Sequence, residues 1–228
     1  MLNWNEPSMN ANNTVGLIGG TGTEGRGIVL RLAQAGVPVM IGSRSAEKAA
    51  ELAGELNAQL GGNLIQGTDN AGLLEGCRVL FLTVPFEHAA SLLGSLSESF
   101  RPHHILVDVT VPLYFQQGPR LLELPGSGSE HLRKFVPPQV AMTATFKTLP
   151  AHLLCELEKP LDCDEFIVSD SDQARDAVLE ILEKIPTLRW IDAGPLRYAK
   201  ALEGMTLLAV GLNRRYKSRE GRFRMSGI

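Results

Sequence analysis

The stretch Thr14-Val-Gly-Leu-Ile-Gly-Gly-Thr-Gly-Thr-Glu-Gly25 decides the fold. Val15, Leu17 and Ile18 form a short apolar run that stops at Gly19. Beyond Gly25, Ile28, Leu30, Leu32, Ala33 and Ala35 recur at helical spacing as far as Gly36. The pattern is strand, tight turn, helix. Within the turn Gly20, Gly22 and Gly25 have G-x-G-x-x-G spacing. In that motif the first glycine allows the turn, the second lets a pyrophosphate approach the backbone, and the third lets helix and strand pack closely. The phosphates then face N–H groups at a helix N-terminus, where the dipole favours negative charge.

About one βα unit later stands Val39-Met-Ile-Gly-Ser-Arg44, followed by Lys48. A site selective for NAD puts a carboxylate at the end of this strand to hold the ribose 2′-hydroxyl, whereas a 2′-phosphate needs positive charge and hydroxyl donors. Ser43 offers a hydroxyl and Arg44 a guanidinium fork. Lys48, four residues on, shares Arg44's side of a helix starting near Ser45. No carboxylate intervenes before Glu47. The spacing favours NADP(H), the competing reading being a solvated helix start.

The alternation continues. Lys48 to Leu60 reads as a helix, Asn63 to Gln66 as a short strand and Asp69 to Leu74 as a small helix. Val79-Leu-Phe-Leu-Thr-Val84 and Ile105-Leu-Val-Asp108 read as strands covered on both faces, with Glu87 to Leu96 helical between them. The expected architecture is α/β, a doubly wound parallel sheet. Ligands in such sheets lie beyond the carboxyl ends of the strands, which nominates Thr83, Val84, Pro85 and His88 as a second wall. Taken alone, His88 reads as a surface residue at a helix start sooner than as a catalytic one. Thr110 to Lys134, rich in Pro, Gly and Ser, reads as a long mobile loop. Further strands are expected at Val140 to Phe146, Glu165 to Ser169 and Leu188 to Ile191. A helix capped at Ser171 and Asp172 runs to about Ile185, and a long apolar helix spans Leu196 to Asn213. The tail Arg214 to Arg224 carries six basic residues and one acidic one, and reads as a frayed end, a subunit contact or a site for an anion.

The composition fits one compact enzyme. The 228 residues are 44% hydrophobic and 21% charged, enough for one large domain or one with a small second lobe. The expected division is a flexible N-terminal extension over 1–13, a nucleotide-binding domain over 14–136 and a smaller α/β lobe over 137–228. A net charge of −3 offers nucleic acid no general attraction. Cys77, Cys155 and Cys163 are an odd number without metal-ligand spacing, and with no signal peptide or membrane-spanning run they point to a reduced, cytoplasmic protein. No metal is expected.

Gly19-Gly-Thr-Gly22, Gly42-Ser-Arg44 with Lys48, Leu82-Thr-Val-Pro-Phe-Glu-His88, and Ile191-Asp-Ala-Gly-Pro-Leu196 followed by Ala201-Leu-Glu-Gly-Met-Thr-Leu207 together resemble the NADPH-dependent coenzyme F420 reductases, also called F420-dependent NADP oxidoreductases. The resemblance runs from Thr14 nearly to the end of the chain, where Phe223-Arg-Met-Ser-Gly227 is similar to the tail of bacterial members. It implies hydride transfer between NADP(H) and the deazaflavin coenzyme F420. It assigns Thr21, Gly22, Thr23 and Glu24 to the pyrophosphate turn, Ser43, Arg44 and Lys48 to the 2′-phosphate, and Val84 and His88 to the nicotinamide end. For the deazaflavin side it implies Val111 and Pro112, then Lys147, Thr148, Leu149, Pro150 and Ala151, the last also reaching the nucleotide, and Gly204, Thr206 and Leu207. The chain departs from archaeal members at Phe86, where they tend to carry Trp, and at Lys147, where they tend to carry His. The loop from Tyr114 to Arg133 also matches poorly.

Such a reaction asks little of side chains, because the cofactors carry the chemistry and the protein holds the two rings together in a dry pocket. Lys147 is the one charged residue expected near the acceptor, to stabilise a reduced anion or hold a phosphate; the other reading puts its amine in water. Two alternatives stand beside this one: a related NADP-dependent reductase of imines or ketones, and a non-catalytic NADP sensor. The apolar surface on the last helix, with Leu202, Met205, Leu207, Leu208, Val210 and Leu212, favours a homodimer.

Overall fold

The structure, a computed structural model, describes residues 14–228, and the extension expected over 1–13 lies outside the described residues. β1 (Val15–Ile18), α1 (Thr23–Gln34), β2 (Val39–Ser43), α2 (Ala46–Leu60), β3 (Ile65–Asp69), α3 (Asn70–Gly76), β4 (Val79–Leu82), α4 (Phe86–Leu96) and β5 (Ile105–Asp108) alternate as the sequence requires. A hairpin of β6 (Leu113–Phe115) and β7 (Pro119–Leu121) and a short α5 (Gly128–Arg133) follow. Then come β8 (Ala141–Ala144), α6 (Ala151–Cys155), β9 (Cys163–Ser169), α7 (Asp172–Leu182), β10 (Leu188–Asp192) and α8 (Ala199–Tyr216).

Eight strands form one sheet in the order β10-β9-β8-β5-β4-β1-β2-β3. Strand residues alternate between its two faces. Val15, Leu17, Val79, Phe81, Ile105 and Val107 bury against α1, α2, α6 and α7. Ile18, Leu80, Leu82 and Leu106 bury on the opposite face, with residues of α3, α4, α5 and α8. Burial on both faces is why these strands read as unbroken apolar runs.

Three expectations need correcting. The sheet is not wholly parallel: β8 pairs β9 antiparallel, with Thr143 opposite Ser169, while β9 pairs β10 parallel. β9 and β10 therefore run against the other six strands, and the N-terminal end of β9 reaches the edge where β1, β4 and β5 end. The strands of 137–228 extend this same sheet.

The 110–134 segment is not a mobile loop. It holds the hairpin and α5, which opens with a capping box in which Ser127 and Glu130 satisfy each other's backbone N–H groups. Ser127, Gly128 and Ser129 are buried, because apolar and polar partners from α8 and β5 cover a turn whose composition alone reads as exposed.

Nor is the tail frayed. The Asp164 N–H donates to the Phe223 carbonyl, the Met225 N–H donates to the Asp164 carboxylate, and Arg189 bridges Asp164 and the Met225 carbonyl. The Arg189 hydrogen bonds, and after them the Met225 N–H, hold the Asp164 carboxyl below the usual carboxylate range against the opposing effect of burial.

Candidate functional site

The glycine turn lies at the carboxyl end of β1. Gly19 has a φ of +73°, the left-handed conformation glycine adopts at least cost, and its N–H donates to Asn70 Oδ1 at 3.2 Å. The turn is thus made by the glycine before the G-x-G-x-x-G triplet, with Asn70 as a support that spacing rules do not mark. A Cβ on Gly20 would sit 2.8 Å from Leu17 Cβ, and one on Gly25 would sit 2.7 Å from Gly20 Cα. Gly20 and Gly25 therefore let α1 rest directly on the β1 turn. Gly22, the N-cap of α1, faces open space and offers no side-chain acceptor to the helix. Thr21, Gly22 and Thr23 are exposed. The result is a backbone cradle with room over Gly22 for an anion. Gly25→Ala is expected to cost about 2 kcal/mol or more in stability, because the new methyl meets backbone rather than a yielding side chain. Urea denaturation checks this, and a loss under about 0.5 kcal/mol would show that the turn tolerates the methyl.

At the end of β2, Ser43 is half-buried and Arg44 and Lys48 are exposed. Ser45 caps α2 by accepting from the Lys48 N–H and itself donates to Glu47, which lowers the Glu47 pKa. Among the described residues neither Arg44 nor Lys48 pairs with a carboxylate. Their charge is free to meet a phosphate, two strands from the cradle's far wall. On that wall the Thr83 hydroxyl turns inward and donates to the Ile18 carbonyl. Val84 packs against Gly19. His88 lies on the exposed face of α4, 3.6 Å from Glu87, as its surface reading has it.

The residues nominated for the acceptor side are gathered from three distant segments. Thr206 on α8 donates its hydroxyl to the Lys147 carbonyl at 2.5 Å, and Pro112 lies beside Gly128 and Phe86. Lys147 itself fits neither expectation. Its side chain is fully buried; the ammonium is 3.0 Å from Asp108 Oδ2, 2.5 Å from the Thr110 carbonyl and 3.8 Å from Glu203 Oε1. Its charge is spent inside the protein, so it is neither in water nor available to a reduced acceptor.

Between the nucleotide turn and this segment lies a second buried group. Glu165 accepts from the Lys147 and Thr148 N–H groups and the Thr148 hydroxyl, yet burial raises its pKa to about 7. Glu24, on the first turn of α1, has Oε1 buried without a hydrogen-bond partner, and burial together with Glu165 raises its pKa to about 8. Cys155, with Arg26, Arg31 and Glu156 around it, lies close to Glu24, and Cys163 lies close to Glu165. In the unfolded chain these carboxyls ionise near 4.5, whereas in the fold they keep their protons longer. At these two groups the folded state thus binds more protons, and their contribution to stability falls as pH rises from about 4.5 to about 8, then levels. Denaturation midpoints across that window check the sign, and Glu24→Gln is expected to flatten the slope. An unchanged slope in that variant would rule Glu24 out as its source.

Among the described residues no group of three or more His, Cys, Asp or Glu side chains is arranged to hold a metal, and no helix is long and apolar enough to cross a membrane.

Comparison with known proteins agrees with this geometry. The family described as NADP oxidoreductase, coenzyme F420-dependent, matches residues 14–112, from β1 through the end of β5. The F420-dependent NADP reductase of Methanothermobacter marburgensis is 36% identical over 94% of this chain and 98% of its own. That of Methanocaldococcus jannaschii is 30% identical over the same shares. A crystal structure from Arthrobacter sp. FB24, provisionally assigned as an F420-dependent NADP reductase, covers 94% of this chain and 99% of its own with a TM-score of 0.77 at 23% identity, which supports the fold. With near-complete coverage of relatives at 30% identity and above, this chain belongs to the F420-dependent NADP reductase family.

Proposed function

We propose that this protein transfers a hydride between NADP(H) and the deazaflavin coenzyme F420. One observation carries the reading: the match to F420-dependent NADP reductases runs over 94% of the chain, through both the nucleotide cradle and the Glu203 to Leu207 segment of α8. The cradle fits a dinucleotide because Gly22 is open, Gly20 and Gly25 exclude side chains, and Arg44 and Lys48 carry unspent charge at the end of β2.

When bound, the nicotinamide and deazaflavin supply the hydride chemistry. The chain's own part is binding and alignment. Gly20, Thr21, Gly22, Thr23 and Gly25 present backbone to the pyrophosphate, and Ser43, Arg44 and Lys48 hold the 2′-phosphate. A Glu24 carboxyl kept neutral by burial adds no negative charge beside those phosphates. Val84, His88 and Ala151 border the nicotinamide end. Val111, Pro112, Pro150, Gly204, Thr206 and Leu207 border the deazaflavin, with the buried Lys147, Thr148 and Leu149 supporting that wall from behind. In this division 14–136 binds the nucleotide and 137–228 closes the second site.

We place the protein in the cytoplasm as a homodimer that acts on small molecules and binds no nucleic acid. Its three cysteines are unpaired, and Leu208, Leu212 and Tyr216 form an exposed apolar row on α8 at helical spacing. Size-exclusion chromatography with light scattering tests the dimer, with Leu208→Lys expected to shift it to monomer. A monomeric native protein would remove this assignment.

The cofactor assignment is tested at Arg44. Arg44→Ala is expected to weaken NADPH by about 1.5–3 kcal/mol through loss of a charge-assisted contact, roughly a 10- to 150-fold rise in Kd, with little change for NADH. Calorimetry with each nucleotide checks this. Equal losses for both would make Arg44 structural rather than selective.

A further inference from the structure

We propose that Lys147 is a positioning residue, whose buried ammonium fixes the three segments of the acceptor site relative to one another. The inference rests on the function proposed above and concerns how its second site is built.

The ammonium has three protons to donate and no acceptor capacity of its own. It faces the Asp108 carboxylate at the end of β5, the Thr110 carbonyl just beyond, and the Glu203 carboxylate on α8. Each partner is tied to further backbone. Asp108 Oδ1 accepts the N–H and the hydroxyl of Thr110, and Oδ2 accepts the Ser129 hydroxyl at 2.6 Å. Glu203 accepts the Gly128 N–H at 3.0 Å and the Ser129 N–H at 3.4 Å, so it also caps α5. The Lys147 carbonyl accepts from Thr206.

One cation thus joins the Thr110 to Pro112 turn, the Lys147 to Ala151 turn and the Glu203 to Leu207 turn of α8, which are the three segments that meet at the proposed deazaflavin site. Packing alone does not fix them, because Val111, Pro150, Gly204, Met205, Thr206 and Leu207 are only half-buried. Directly before Lys147, Phe146 is buried with a φ of +54°, a conformation a bulky residue holds only where its surroundings impose it. Phe81 and Trp190 flank its ring, so the backbone enters Lys147 already aimed at Asp108.

Two carboxylates and one ammonium, all dry, tolerate no movement that separates them without stranding a charge. This distinguishes the cluster from an apolar core, which loses only a little for each small displacement. Because the ammonium is fully enclosed, it acts on the acceptor through these segments and not by contact.

The test uses Lys147→Met combined with Glu203→Gln, which removes the cation and one carboxylate together while keeping an acceptor for the Gly128 N–H. Two readouts are taken on the full chain. In hydrogen exchange, the Thr110, Gly128 and Ser129 amides are expected to exchange at least about ten-fold faster and in step, while Val15 to Ile18 keep their protection. In steady-state kinetics, KM for the deazaflavin is expected to rise at least about ten-fold and KM for NADPH to stay within about two-fold. Acceleration at only one segment, or at none, overturns the proposal. So does a large fall in kcat with the deazaflavin KM unmoved, which would give the ammonium a direct role.

Exchange needs no acceptor, so it judges the positioning role even if the wild type fails to reduce the deazaflavin, a failure that would count against the function alone. If the double variant does not fold, Glu203→Gln serves, with faster exchange expected at Gly128 and Ser129 and a smaller rise in the deazaflavin KM. Unchanged values for both in that variant overturn the proposal.

Discussion

Lys147→Met alone is expected to destabilise the protein by about 3–5 kcal/mol. The magnitude follows from what is left behind. Asp108 keeps the Thr110 and Ser129 donors but loses its cation, and Glu203 faces it across the space the ammonium filled. Both sites are dry, so neither carboxylate recovers its hydration. A surface pair of the same chemistry is worth about 1 kcal/mol or less, which is why burial decides the outcome. Burial already raises the Glu203 pKa, with Lys147 as the main opposing influence, and removing the lysine pushes it further up. The variant is therefore expected to regain stability as pH falls and Glu203 takes up a proton, and to regain part of it at neutral pH when Glu203→Gln is added. Denaturant titrations of the single and double variants at pH 5 and pH 8 measure both effects. A loss under about 1 kcal/mol that is insensitive to pH would show that Asp108 and Glu203 do not depend on the cation.

Arg31→Met is expected to cost a similar amount, about 3–5 kcal/mol. Arg31 lies on α1, 2% exposed, and its guanidinium donates to the carbonyls of Leu153, Leu154, Glu156, Leu157 and Lys159. Those carbonyls end α6 and the turn after it, where a helix leaves acceptors unmet. The arginine thereby fastens the helix that carries the nucleotide cradle to the helix that follows the Lys147 to Ala151 turn. Gly27 completes the joint, since a Cβ there would run into Leu154. In a chain of this size the loss corresponds to roughly 6–20 °C in Tm. Arg31→Lys is expected to recover little of it, because an ammonium lacks the planar fork that spans several carbonyls. Thermal unfolding of the two variants checks this, and a lysine variant as stable as the wild type would mean the fork is not needed.

The parts of the molecule legible in the sequence are those whose cause is local. Gly20, Gly22 and Gly25 announce the cradle because each glycine answers to a neighbour a few residues away. The apolar runs at β4 and β5 announce burial on both faces. Gly19 carries no such signal as the turn residue, since the motif's spacing starts one position later and its support from Asn70 arrives from α3. The capping box of α5 was written in Ser127-Gly-Ser-Glu130, but the surrounding Pro and Gly mask it unless the S-x-x-E signal is weighed by itself. Strand direction leaves no trace in hydrophobic periodicity, so the reversal of β9 and β10 was not readable.

Lys147 is the clearest case of what a sequence hides. Its partners lie on β5 and α8, and a lysine's solvation is decided by the fold rather than by its neighbours in the chain. The Asp192-Ala-Gly-Pro195 motif, by contrast, is the turn its composition announces. Gly194 has a φ of +90°, its N–H donates to Asp192, and its carbonyl accepts from Ser169, so the motif is a turn that sends α8 back across the sheet. Its contribution to the site is made at a distance, by delivering Glu203 to Leu207 to Lys147.

This chain joins NADP(H) to a deazaflavin. Purified protein mixed with oxidised coenzyme F420 and either NADPH or NADH tests it most directly, by following the deazaflavin absorbance. NADPH is expected to bleach the band, and NADH to do so at least about ten-fold more slowly at equal concentration, the ratio that Arg44 and its neighbours imply. An unchanged band with NADPH, or equal rates with the two nucleotides, would contradict the account.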